Sequence, residues 1–188
     1  DTYFKINEML KQENTDYIKI KNIYEESKIQ KKAKELDKIY KISIHYRILK
    51  LIELGIKDYE YIESKLFIQF IFLFKNALLY EFNQVLKNEI ISDNTRLGAP
   101  NNWDKAYVYF KVFHPLIEEI ANYPDISENY EKKISNDYIE GHFIKGADYI
   151  KDFSDEKLIQ IYIEIQRIEK KIIQILFINM LKNVDYIL

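Results

Sequence analysis

The stretch from Leu158 to Ile178 reads LIQIYIEIQRIEKKIIQILFI. Its residues Leu158, Ile161, Ile165, Ile168, Ile172 and Ile175 step by three and four in alternation. A helix sets those positions on one stripe, whereas a strand needs a period of two. The next step of the pattern falls on Asn179, so the strict seam ends at Ile175. Beyond it, Leu176, Phe177, Ile178, Met180 and Leu181 spread apolar surface around the helix, and its end is expected to be buried broadly. Glu164, Gln166, Arg167, Glu169 and Lys170 fall off the seam.

The rest of the chain reads the same way. Only four glycines and three prolines interrupt 188 residues, and nowhere does a period of two persist. Helices are therefore expected to be long. The first runs from Asp1 to Glu13, and Asn14, Thr15 and Asp16 supply capping oxygens for the next. Tyr17 to Leu54 contains no breaker, and Gly55 suits a helix C-terminus. Another helix starts at Asp58 and carries the apolar run Leu66 to Leu79, which is too short for a bilayer and reads as a core helix. Asn102 is expected to cap a helix with Trp103 in its first turn, kinked at Pro115 and ending before Pro124. A further helix runs from Ser127 to Ile150, weakened by Gly141 and Gly146, and Ser154 caps the last. The fold class is all-α: an antiparallel bundle of about six helices in a single domain, 1–188.

An internal repeat is expected within that domain. A shift of 106 residues aligns Tyr3, Phe4 and Lys5 with Tyr109, Phe110 and Lys111. The same shift pairs Leu10 with Leu116, Tyr17 with Tyr123, Ile20 with Ile126, and Tyr24 with Tyr130. A duplication would make halves 1–92 and 102–188, joined by loop 93–101, with pseudo-twofold character.

Composition narrows the chemistry. With 28 basic and 30 acidic side chains the net charge is −2, which lacks the basic excess of a dedicated nucleic-acid binder. The absence of cysteine excludes disulfides, thiolate zinc sites and a cysteine nucleophile. Phosphate loops, Gly-x-Ser-x-Gly, His-Glu-x-x-His and Glu-x-x-His are all missing. The basic run Lys28 to Lys34, flanked by Glu26 and Glu35, reads as a solvated helix face. The chain starts at Asp1 rather than Met: either a leader was removed, which implies an extracytoplasmic location and is the reading taken, or the numbering begins inside a longer product.

Three histidines remain. His114 and Glu118 share a helix face beside Pro115, and they are the metal-ligating candidates, needing further ligands from a second helix. His45 and His142 read as boundary residues. Tyr3, Tyr17, Tyr24, Tyr109, Tyr123 and Tyr130 either line a pocket or place rings in the core with hydroxyls at its edge.

The stretch Trp103 to Phe110, WDKAYVYF, resembles a pattern of the imelysin-like proteins. Those are exported bacterial helical proteins with duplicated bundles, associated with iron uptake. The resemblance implies an exported helical binding protein. The family's Gly-x-His-x-x-Glu motif is absent, since Gly141 is followed directly by His142, and no site residue carries over. The reading reached is a non-enzymatic, exported helical module that binds a partner protein or associates with itself, through its apolar C-terminal run from Ile172 to Leu188. No cofactor is expected on this reading. The alternative is a small-ligand, metal or haem binder.

Overall fold

The computed structural model describes residues 2–10, 12, 14–54, 59–87, 98–121, 135–151 and 155–185. They form an all-α fold, with no strand among the described residues. No helix among them is long and apolar enough to cross a membrane. The helices are α1 (Thr2–Leu10), α2 (Tyr17–Glu25), α3 (Lys28–Tyr40), α4 (Ile44–Leu54), α5 (Tyr59–Lys87), α6 (Ala99–Phe110), α7 (His114–Ala121), α8 (Asn136–Lys151) and α9 (Asp155–Asp185). Two compact units emerge, Asp1–Ala77 and Leu78–Leu188, and their boundary lies inside α5.

In the first unit, the stretch from Tyr17 to Leu54 is three helices rather than one. Asp16 caps α2 as the sequence suggests, accepting from the Lys19 amide at 3.0 Å. The first break is at Ser27. Its hydroxyl donates to the Tyr24 carbonyl at 2.6 Å and accepts from the Gln30 amide at 3.1 Å, so one side chain closes α2 and opens α3. The second break is at Lys41, which ends α3 in the left-handed region at φ 54°. That conformation costs a side-chain-bearing residue about 1–2 kcal/mol. Asp37 offsets it: its carboxylate accepts from the Ile44 and His45 amides at 2.7 and 2.9 Å, capping α4 from the helix before. α4 packs on α2 and α3, and α1 packs on α2. Tyr3 and Tyr24 both set their rings edge-on to Phe70 of α5.

The second unit holds the end of α5 and α6 to α9. α6 starts at Ala99, three residues before the expected cap. Gly98 turns the chain at φ 83°, a region that favours glycine, and Pro100 occupies the first turn, where no amide donor is needed. Asn102 is therefore a buried helical residue and not a cap. Pro115 acts upstream of itself. It cannot donate to the Lys111 carbonyl four residues back, and residues Lys111–Phe113 tighten into a 3₁₀ turn in which the His114 amide takes that carbonyl instead. Ser135 caps α8, accepting from the Tyr138 amide at 3.2 Å. Gly55, Asp58, Pro124, Ser127 and Ser154 lie outside the described residues.

α9 packs chiefly along α8 and also on α7, and α6 packs on α8. The seam is as read from Ile161 to Ile175: Ile161, Ile165, Ile168, Ile172 and Ile175 are all buried, while Leu158 at its start is half-buried. Past it burial is one-sided as far as Ile178: Ile178 is buried, Leu176 half-buried and Phe177 exposed, and the side chains of Met180 and Leu181 lie outside the described residues. Gly146 is not a weak point of α8. A Cβ there would stand 2.0 Å from Cζ2 of Trp103, so the missing side chain is the seat of the indole. The Trp103 Nε1–H donates to the Phe143 carbonyl at 2.9 Å, beside the rings of Phe82 and Phe143. The repeat is not resolved by these residues. Tyr3, Phe4 and Lys5 lie inside α1, while Tyr109, Phe110 and Lys111 span the end of α6 and the 3₁₀ turn, and 122–134 are outside the described residues.

Candidate functional site

The polar chemistry of the second unit collects where α6, α7 and α9 meet α8. His142 of α8 and Glu164 of α9 are 6% and 2% exposed, so a titratable pair is buried in an interior of isoleucine and phenylalanine. His142 Nδ1 bonds to Glu164 Oε2. The other carboxylate oxygen accepts from Arg167 Nη1 at 2.9 Å. Both oxygens of a buried carboxylate thus have donors, the condition under which such a group is tolerated. The bond fixes the ring: Nδ1 donates, and Nε2 is buried with no hydrogen-bond partner among the described residues. The Tyr138 ring stands edge-on to His142 at 4.6 Å, and the buried Lys171 places Nζ 5.4 Å from the centre of the same ring.

These side chains depart from the sequence reading. His142 is a core residue rather than a boundary one. Glu164, expected off the seam, sits in a second buried column with Lys171 and Ile178, spaced by seven residues. That spacing was the available signal, since residues seven apart share a helix face. The pairing with His142 was not readable, because it joins two helices across 22 residues.

The two members of the expected metal pair, one turn apart on α7, have different neighbours. Glu118 is exposed, and its Oε1 accepts from Asn136 Nδ2 at 3.5 Å. His114 faces α8 instead: Nε2 lies 3.2 Å from Glu140 Oε1, out of line for a hydrogen bond. Glu140 also accepts from the Tyr107 hydroxyl at 3.2 Å. That bond, after burial, raises the Tyr107 pKa. The His114 ring packs edge-on against Phe110. No group of three His, Asp or Glu side chains placed to hold a metal occurs among the described residues.

In the first unit, His45 Nδ1 lies 3.1 Å from the Tyr24 hydroxyl, with the two rings stacked. Burial and then the Lys34 charge lower the His45 pKa, against the pull of Asp37 and Glu25. Burial raises the Tyr3 and Tyr24 phenols well above their ordinary range. Both rings fill the core, while Tyr17 and Tyr109 are half-buried, and Tyr123 and Tyr130 lie outside the described residues.

Chemically, a carboxylate that fixes a histidine tautomer is a device shared by catalytic and metal sites. Here both groups lie inside the α8–α9 contact, where they tie one helix to the other. No protein-family model, curated protein or solved structure matches the chain.

Proposed function

We propose that the chain is a non-enzymatic helical interaction module whose working surface is the outer face of α9. One observation carries this reading. Opposite the buried seam, Ile159, Ile173 and Phe177 are 61%, 56% and 50% exposed. Single exposed apolar residues are ordinary on a protein surface. Three on one face of one helix make an apolar strip, interrupted at its centre by Gln166 and Lys170, that suits a second helix. The strip overlaps the apolar C-terminal run that marks the sequence.

A photo-crosslinking residue at position 159, 173 or 177, introduced in the native host, tests it. The expected outcome is a discrete protein adduct from each position and none from exposed Lys145 on α8. Adduct yields at all three positions no higher than at Lys145 refute the reading.

A second reading, small-ligand, metal or haem binding, is supported by the 3.2 Å approach of His114 Nε2 to Glu140 Oε1 without hydrogen-bond alignment. Elemental analysis and an absorbance spectrum of protein from its natural source test it. Stoichiometric metal or a haem band, lost in His114→Ala, supports it; a colourless, metal-free protein refutes it.

A further inference from the structure

We infer that the outer face of α9 pairs antiparallel with the same face of a second copy of this chain, about a two-fold axis that crosses the outer face level with Ile168. The inference rests on the interaction reading above and names its partner. Ile159, Ile163, Gln166, Lys170, Ile173 and Phe177 step by four and three in alternation, a heptad seam on the side of α9 opposite the core. Gln166 and Lys170 are exposed and Ile163 is half-buried, so the strip faces solvent along its length.

The order of residues in this seam is symmetric about its centre. Ile159 and Phe177 lie nine residues either side of Ile168, Ile163 and Ile173 five, Gln166 and Lys170 two. A copy turned through the two-fold axis therefore sets Ile159 against Phe177 and Ile163 against Ile173. At the centre it sets each Gln166 amide against a Lys170 ammonium, and an amide oxygen accepts from an ammonium. Every apolar side chain meets an apolar one. A parallel copy would instead place Lys170 on Lys170, two like charges inside a seam. Self-complementarity about a two-fold axis is the requirement for a closed, isologous dimer. Arg167 and Glu169 flank the axis on its two sides, and each approaches its own copy; Arg167 is held by Glu164 at 2.9 Å, and Glu169 accepts from Gln166 Nε2 at 3.4 Å.

The chain has no cysteine, so introduced thiols are the only ones present. Ile159→Cys and Phe177→Cys are made separately in the full chain and oxidised alone and mixed. The two positions are 18 residues apart, about 27 Å of helix, which no disulfide spans. The antiparallel register therefore gives a disulfide dimer only in the mixture, and neither variant alone crosslinks. Wild type should sediment at twice the 22.8 kDa chain mass, and Ile163→Glu/Ile173→Glu at the chain mass with its helical melting curve retained. Disulfide dimers from either variant alone overturn the antiparallel register. A dimer whose mixed variants do not crosslink overturns the seam as its interface. A monomer at every concentration overturns self-pairing. In that last case, crosslinked adducts of another mass at positions 159, 173 and 177 leave the interaction reading standing, and their absence ends both.

Discussion

Alanine at Gly146 should destabilise the protein, against what helix propensity alone dictates. In a helix interior alanine is favoured over glycine by about 1 kcal/mol. At this position the added Cβ would stand 2.0 Å from Trp103 Cζ2 and 2.3 Å from Cη2. Ordinary carbon contacts are about 3.5–4.0 Å, so the indole must retreat by more than an ångström. Its retreat is opposed by the Nε1–H bond to Phe143 at 2.9 Å and by the Phe82 and Phe143 rings, 5.3 and 5.5 Å from it between centres. Overpacking of this kind costs about 1–3 kcal/mol, and a stretched buried hydrogen bond adds about 1. Net of the propensity gain, the loss is about 1–3 kcal/mol, or a fall of about 2–12 °C in Tm for a chain of this length. Trp103 is the only tryptophan, so its fluorescence reports unfolding of the second unit alone. Gly141→Ala is the control: nothing lies within 4 Å of its Cβ, and it should stabilise. The same alanine at 146 should cost less in a Trp103→Phe background, read by circular dichroism. A Gly146→Ala protein as stable as Gly141→Ala would refute the seating of the indole on the glycine.

Three further outcomes are expected. His142→Ala should cost about 2–4 kcal/mol in chemical denaturation, because Glu164 keeps only Arg167, and combining it with Glu164→Ala should cost less than the sum of the two single changes; simple additivity would show that the pair does not act as a unit. Asp37→Ala should lose about 1–2 kcal/mol by uncapping α4, with Asp37→Asn recovering part of it; a loss near zero in a urea titration would remove the capping role. The lowered His45 pKa means that the folded chain binds fewer protons than the unfolded one below its ordinary 6.5. Stability should therefore fall as pH drops through that value towards the depressed one, and this slope should vanish in His45→Gln; parallel Tm–pH curves for the two proteins would contradict it.

Much of the fold was legible because it is written in local spacing. The Ile161 to Ile175 seam and the Asp16 cap need only neighbours along one helix, and both are found where the sequence puts them. The breaks between α2, α3 and α4 were hidden, because no glycine or proline marks them. Ser27 acts through its own hydroxyl, and Lys41 accepts an unfavourable φ that Asp37 offsets from a turn away. Gly146 was misread as a propensity defect. It falls in step with Ile139, Phe143 and Ile150, a buried row of α8, and a glycine on such a row signals a close approach. Which group approaches is a tertiary fact: Trp103 lies 43 residues away. The candidate site was hidden for the same reason. Pattern within one helix showed Glu164 and His142 as polar residues, and only the meeting of α8 with α9 makes them partners.

That meeting also addresses a weakness of the seam itself. Isoleucine stands at each of the positions 161, 165, 168, 172 and 175, so a slip of one heptad would still set isoleucine at three of the five and change the contact only at one end of the seam, where Asn179 and Lys182, or Ser154 and Leu158, would enter. Shape alone discriminates poorly between such registers. The polar column does discriminate. Seven residues before Glu164 stands Lys157, and seven after it Lys171. A slip in either direction would set an ammonium against the His142 nitrogen that now donates to a carboxylate. The donor would lose its acceptor and Glu164 would lose a donor, each inside the core, where an unmet polar group costs about 1–3 kcal/mol and an unmet charge more. The buried His–Glu pair is thus better understood as selecting one packing of α8 on α9 than as adding to its strength, and the exposed seam on the far side of α9 inherits a fixed orientation from that choice.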